Sequence, residues 1–260
     1  MIARLRGRSI IAPAFAIALM LPLMILFMNA ESALASDNSL VAVCNHVWVF
    51  DEDMSYPASY DYKGMKVWYC ENCLAERVKY IPKKKKTKAI KMASKPIVQL
   101  YKYAKTYDVG KMSKCFKKKP KGMFFEKMRY LANICRKQNS KEMDCELLKA
   151  RVGKKKAQFK VAVCYRSGYD AFCDALGAYY EAGTRYALKH YSTPSGSWLD
   201  AQLKKQIEKS VKKIGFYETD ETFNITVVKT SSGWKIAKTS KAIVDSVNCD
   251  YESAWRNTDA

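Results

Sequence analysis

The chain has 260 residues and a formal net charge of +21, with 46 Lys and Arg against 25 Asp and Glu. Hydrophobic residues make up 48% of it and aromatic residues 12%, which suits a folded core and excludes a disordered chain. It has only two His and contains no G-x-S-x-G, H-E-x-x-H or phosphate-cradling glycine loop, so these familiar catalytic motifs are excluded.

The N-terminus has the pattern of a secretory signal. Arg4, Arg6 and Arg8 precede an apolar run over 10–28, and Ala33-Leu34-Ala35 follows it. This order predicts a signal peptide over residues 1–35, cleaved after Ala35. An uncleaved membrane anchor is the alternative, because the run is long enough to span a bilayer. Cleavage would leave a secreted or surface-associated chain with a net charge of about +19.

Two close pairs of metal-ligating residue types follow, Cys44 with His46 and Cys70 with Cys73. Two such pairs are what a tetrahedral Zn²⁺ site requires. Because all four positions would be filled by the protein, the expected zinc is structural and not catalytic. The alternative is that Cys70 or Cys73 forms disulfides in an exported protein and that His46 binds no metal.

The residues around these pairs resemble a known module. Cys44-Asn45-His46-Val47-Trp48, Tyr69-Cys70-Glu71-Asn72-Cys73 and Ile81-Pro82 are similar to the zinc-ribbon-like modules of secreted Gram-positive surface proteins. The resemblance implies such a module over residues 40–82, with the two pairs as its ligands. The chain departs from it at Trp48, which comes one residue early, and at Leu74, where those modules place Gly.

A run of like charges comes next, from Lys83 to Lys86 and again at Lys88. Such a run repels itself and stays extended, which predicts a Lys-rich linker over residues 83–93. It is either a solvated linker alone or an electrostatic tether to anionic surfaces.

Residues 94–250 carry helical patterns followed by strand patterns that are not strictly interleaved. The helices are expected over Ser94–Tyr107, Met112–Phe116, Met123–Lys137, Ala171–His190 and Trp198–Ile214. The strands are expected over Met143–Val152 and Gln158–Tyr165, and in a hairpin around Ser231-Ser232-Gly233. Ser94 and Ser197 are the expected helix caps, and Gly215 the expected stop. The pattern predicts an α+β domain with an antiparallel sheet.

This order resembles the nuclear-transport-factor-two-like (cystatin-like) domain of exported bacterial proteins. The resemblance is carried by the helix at Ser94, the Asp108–Met112 turn, and the terminal hairpin from Val227-Val228-Lys229 to Gly233-Trp234-Lys235-Ile236. It implies a cone-shaped fold over residues 94–250, with a helix against a curved antiparallel sheet and a helical insertion before the last hairpin.

Six cysteines lie outside the expected metal site: Cys115, Cys135, Cys145, Cys164, Cys173 and Cys249. An even number in an exported chain permits three disulfides. If Lys154-Lys155 form a two-residue loop, Cys145 and Cys164 lie opposite each other, so this is the preferred pair. Reduced core thiols are the alternative.

These observations predict an exported, non-enzymatic surface or binding protein. Its positive charge favours contact with anionic cell-wall polymers or lipid headgroups, and a protein partner stays open. One alternative is an extracellular nucleic-acid-binding protein. The other is an isomerase or dehydratase of the cone fold, in which Asp170 and a Tyr would act. His190 ends a predicted helix, where a cation favours the helix dipole, so a structural role is expected for it.

Overall fold

The computed structural model describes residues 44–258 except 121, 123 and 127. The predicted signal peptide lies outside the described residues. No helix within the described residues is both long and apolar enough to cross a membrane. The chain divides into two compact units, whose described parts are 44–56 with 65–80, and 57–64 with 81–258.

The first unit is built on a three-stranded sheet, in the order β1-β2-β3. Its strands are β1 (Trp48–Tyr56), β2 (Gly64–Cys70) and β3 (Glu76–Ile81). β1 and β2 are antiparallel, with Trp48 opposite Cys70, and an irregularity between Asp51 and Tyr56 shifts the register. Val67 is buried in this sheet, whereas Tyr80 is 67% exposed. The sheet therefore has little apolar core of its own.

The second unit combines a four-stranded antiparallel sheet, in the order β4-β5-β6-β7, with the remaining helices. Its strands are β4 (Asp144–Val152), β5 (Lys156–Ser167), β6 (Tyr217–Thr230) and β7 (Gly233–Ile236). Its helices are α1 (Lys88–Ala104), α2 (Val109–Ser113), α3 (Arg129–Glu142), α4 (Tyr169–His190), α5 (Gly196–Lys213), α6 (Lys241–Val247) and α7 (Tyr251–Thr258). The predicted α+β class with antiparallel sheets is confirmed.

The core of the second unit lies between the sheet and the helices α1, α3 and α6. The four residues predicted to form the inner face of β5, namely Phe159, Val161, Val163 and Tyr165, are all buried. The predicted terminal hairpin is also confirmed, with Thr230 opposite Gly233 across the two-residue turn. α4 packs along α5 and against α7.

Residues outside the sheet bond to part of each edge, which limits pairing with another chain there. At the β4 edge, Tyr60 donates its backbone N–H to the Leu147 carbonyl, and Asp61 accepts from the Leu147 N–H. The same Asp61 carboxylate pairs with Lys86, and Lys84 donates to the Leu148 carbonyl. Lys84 and Lys86 of the predicted Lys-rich linker therefore form specific contacts within the second unit. At the β7 edge, a segment around Phe116 forms a parallel bridge with Ile236.

Helix boundaries differ from the sequence prediction mainly at the N-terminal ends. α1 begins at Lys88, six residues before Ser94, because Thr87 provides the cap by accepting from the Ile90 N–H. The end of the expected 83–93 linker is therefore helical. α5 is capped by Ser195 and not by Ser197. α3 begins at Arg129, six residues later than expected.

The predicted Cys145–Cys164 disulfide is wrong. The turn has the expected register, with Gly153 bonded to Lys156 and Val152 opposite Ala157. An irregularity between Leu147 and Lys149 then shifts the pairing by one residue. Cys145 consequently lies opposite Val163, and a one-residue shift places Cys145 and Cys164 on opposite faces of the sheet. All nine cysteines of the chain are thiols in the structure.

The C-terminal helices are joined to the core by buried polar contacts that sequence patterns did not predict. Asn139 in α3 donates to the carbonyls of Ala104 and Val247. The Tyr107 hydroxyl donates to the side chain of Asn248. The bonds from Asn139 satisfy the Val247 carbonyl at the end of α6 and give the Ala104 carbonyl at the end of α1 a second donor beside the Tyr107 N–H.

Candidate metal centre

The pairing of β1 with β2 brings the two predicted ligand pairs together. Cys44 and His46 come just before β1, and Cys70 ends β2, with Cys73 in the turn that follows. Because the strands are antiparallel and Trp48 faces Cys70, the start of one strand lies beside the end of the other. The side-chain donor atoms of all four residues lie within 4.8 Å of one another, so this cluster could hold a metal ion.

The distances within the cluster fit the edges of a coordination tetrahedron. Metal–sulfur and metal–nitrogen bonds to zinc of about 2.3 and 2.0 Å place two sulfurs about 3.8 Å apart, and a sulfur and a nitrogen about 3.5 Å apart. The Sγ atoms of Cys44 and Cys70 are 3.7 Å apart. Cys73 Sγ lies 3.4 Å from His46 Nδ1. These two distances thus match the spacing around a single ion, and all four donors lie within 4.8 Å of one another.

A tight turn places the second pair of ligands. The Leu74 N–H donates to the Cys70 carbonyl, and the Cys70 N–H donates to the Ala75 carbonyl. Leu74 closes the turn with φ of +58°, in the left-handed region that favours glycine. This is the position where the resembled modules place Gly, so the chain keeps the turn geometry at the cost of backbone strain. The Leu74 side chain is 76% exposed and brings little packing in return.

Neighbouring groups hold the ligands in place. The His46 ring stacks on Trp48, with ring centroids 5.0 Å apart. Asn72 Nδ2 donates to the Asn45 carbonyl at 2.9 Å and so links the two ligand turns directly. Contacts of this kind fix the orientation of ligating side chains. No sequence pattern indicates the Asn72–Asn45 bond, because it depends on how the two turns face each other.

The thiols of the cluster differ in acidity before a metal binds. The pKa of Cys44 is raised to about 12, chiefly by its hydrogen bond with Cys73 and then by burial. Burial also raises the pKa of Cys70, but hydrogen bonds from the His46 side chain and the backbone of Cys73 and Asn72 outweigh it and lower the pKa to about 6. One thiolate is therefore favoured at neutral pH before a metal binds, and a bound cation would favour the others.

The other cysteines do not join this cluster. Cys164 lies in β5 and donates to Glu218, and Cys249 donates to Asn139. Cys115 follows α2, and the three remaining candidates lie in α3, β4 and α4, namely Cys135, Cys145 and Cys173. Among the described residues, Cys44, His46, Cys70 and Cys73 form the one group of Cys, His, Asp or Glu side chains that could hold a metal ion.

Asp170 and His190, the two residues considered for a catalytic role, lie at opposite ends of one helix in the second unit. Asp170 is in the first turn of α4, and His190 is at its last residue, exposed and packed on Tyr186. A Tyr–carboxylate pair does exist, but it joins Tyr165 to Asp250, whose oxygens lie 2.9 and 3.1 Å from the hydroxyl. Burial raises the pKa of Asp250. Sequence reasoning missed Asp250 because it lies in the turn between α6 and α7, beyond the recognised hairpin.

No protein-family model, curated protein or solved structure matches this chain.

Proposed function

We propose that this chain is an exported, non-enzymatic surface protein. Its first unit is a zinc-ribbon-like module, and its second unit contacts anionic polymers through a lysine-rich surface. The observation that carries the proposal is the set of four protein donors spaced for a single tetrahedral ion.

Zinc is the metal that best suits these donors. Three thiols and one imidazole are soft or borderline ligands, which zinc binds in preference to oxygen-seeking cations such as Mg²⁺ or Ca²⁺. Four protein ligands leave no position for a water or a substrate, so the ion would act as a structural link. Its chemistry would be to hold the two ligand turns together.

The second part of the proposal rests on charge and on the predicted export, and we propose in addition that the second unit has a cone-like fold. A net charge of +21 favours partners rich in phosphate or carboxylate groups. The predicted signal peptide would place such partners outside the membrane. Helices α1, α3 and α6 pack on the sheet, an arrangement consistent with the nuclear-transport-factor-two-like fold proposed for this unit.

The test is binding of the full zinc-loaded protein to a synthetic poly(glycerol phosphate), compared with an uncharged dextran of similar length. We expect saturable binding to the phosphate polymer alone, with log Kd increasing linearly with log salt concentration. Equal retention on dextran, or no retention on the phosphate polymer at low salt, would rule out the polyanion role.

A further inference from the structure

One segment of the second unit is rich in lysine and contains no acidic residue. Residues 109–125 contain six lysines and no Asp or Glu. In the structure, Lys111, Lys114, Lys117, Lys118 and Lys119 are all exposed. We call these five residues, with Lys235 of β7, the lysine edge.

The lysine edge is fixed to the sheet by backbone bonds. The Ile236 N–H donates to the Cys115 carbonyl at 2.9 Å, and the Lys117 N–H donates to the Ile236 carbonyl at 2.8 Å. Lys235 Nζ donates to the Lys114 carbonyl. The segment therefore runs beside β7 as an irregular parallel partner, which sets its lysines along the edge of the sheet.

The apolar residues of this segment face inward. Met112, Cys115 and Phe116 are buried in the core, and Phe124 follows them there. They anchor the segment, so its charged side chains stand on an ordered backbone. Binding of a partner therefore costs this segment less conformational entropy.

The lysines of this edge differ in whether an acidic side chain pairs with them. Lys111 pairs with Asp108 at 2.9 Å, and Lys119 pairs with Glu126 at 3.6 Å. Both pairs are partly exposed and thus weak. The ion pairs found among the described residues do not include Lys114, Lys117 or Lys118. These three lysines are the ones most available to a partner.

From this arrangement we infer that the lysine edge is the binding site for a linear phosphodiester polymer. The inference rests on the proposed function and names where that function is carried out. Insertion into a bilayer requires exposed apolar or aromatic side chains among the charges, whereas Met112, Phe116 and Phe124 of this segment are buried. Nucleic-acid recognition favours Arg forks and exposed aromatic rings for base stacking, and residues 102–121 contain no Arg.

The test compares two triple variants with equal loss of charge. The first is K114Q/K117Q/K118Q, and the matched control is K205Q/K209Q/K212Q on the exposed side of α5. For the first we expect poly(glycerol phosphate) affinity to decrease about tenfold or more, and the slope of log Kd against log salt to decrease by about 2. For the control we expect a change within about twofold. Replacing the same three edge lysines by Arg should retain binding and would show that the site tolerates substitution.

The possible results separate the inference from the proposed function. If the wild type binds the polymer and both Gln variants lose affinity equally, binding depends on bulk charge and the lysine edge is not the site. If the wild type fails to bind, the proposed function fails as well. The same proteins are measured on phosphatidylglycerol vesicles and on duplex DNA at matched phosphate concentration. Preference for either one over the polymer would overturn the inference in favour of a membrane or a nucleic acid.

Discussion

In the first unit, the described residues 44–56 and 65–80 bury two hydrophobic side chains, those of Val67 and Cys70. In the second unit, thirty-three buried residues form a continuous core between the sheet and the helices. The first unit also leaves Phe50, Met54 and Tyr80 exposed. A segment with so little buried apolar surface needs another source of stability, and a metal ion held by its four converging side chains would provide one. The second unit needs no metal to account for its fold.

Removing the metal should produce the largest difference between the units. Chelation is expected to unfold the first unit, because a structural zinc supplies on the order of 10 kcal/mol of apparent folding free energy. The second unit should keep its fold. Amide-resolved hydrogen exchange with and without chelator measures both. Cys73→Ser should reproduce the loss without a packing defect, since Cys73 is exposed, whereas Cys173→Ser should not. Equal protection of β1 and β2 after chelation would contradict this prediction.

A core truncation should affect the second unit alone. Phe159 is completely buried, so Phe159→Ala should destabilise that unit by about 3–5 kcal/mol through lost burial and a cavity. Its matched control is Tyr80→Ala in β3, where 67% exposure predicts a change of less than about 0.5 kcal/mol. Thermal unfolding measures both. Metal affinity should stay unchanged in Phe159→Ala, and a parallel loss of metal would show that the two units are not separately stabilised.

The second unit should also show a pH dependence that arises from its buried carboxyls. Burial raises the pKa of Glu252 to about 7, although Asn248 donates to it, and Asp245 lies nearby with its partner Arg256. Because the pKa of Glu252 is higher in the folded protein than in the unfolded chain, folding favours the protonated carboxyl. The contribution of this group to stability is complete below pH 4.5 and is lost as the pH rises through 7. Glu252→Gln should flatten the stability profile and increase stability at pH 8 by about 2 kcal/mol. Chemical unfolding at pH 5 and pH 8 measures it, and an unchanged slope would contradict the prediction.

The smallest expected effect is relief of strain in the first unit. Leu74→Gly removes a Cβ from a residue with φ of +58° and should stabilise the metal-bound module by up to about 1 kcal/mol. Leu74→Ala keeps the Cβ and serves as the control. Competition with a chromogenic zinc chelator measures the difference between them. If Ala improves zinc retention as much as Gly does, the side chain and not the backbone accounts for the effect.

The comparison of the units also shows which features the sequence could predict. The four metal ligands were recognisable because Cys and His in two close pairs have few structural uses. The inner face of β5 was recognisable from alternation, since Phe159, Val161, Val163 and Tyr165 repeat every second residue. Both signals are local and chemical. They require no knowledge of distant contacts.

The features that escaped prediction depend on tertiary structure. The irregularity after Leu147 shifts the pairing of Cys145 by one residue, and nothing in the local composition marks it. The N-terminal end of α1 depends on Thr87, within a lysine run that otherwise favours an extended linker. Asn139 and Asp250 acquire their partners from segments about a hundred residues away. A contact between two residues so far apart along the chain produces no periodic pattern in a single sequence.

Metal content combined with thiol mapping on the purified full chain tests the central claim most directly. Elemental analysis should give one zinc per chain, and alkylation should reach Cys44, Cys70 and Cys73 only after a chelator is added. The exposed position of Cys73 makes the result decisive, because burial would not protect that thiol, and a chelator releases it from a metal but not from a disulfide. A metal-free protein in which Cys73 reacts at once, or is joined to Cys70 or Cys44 by a disulfide, would contradict the account.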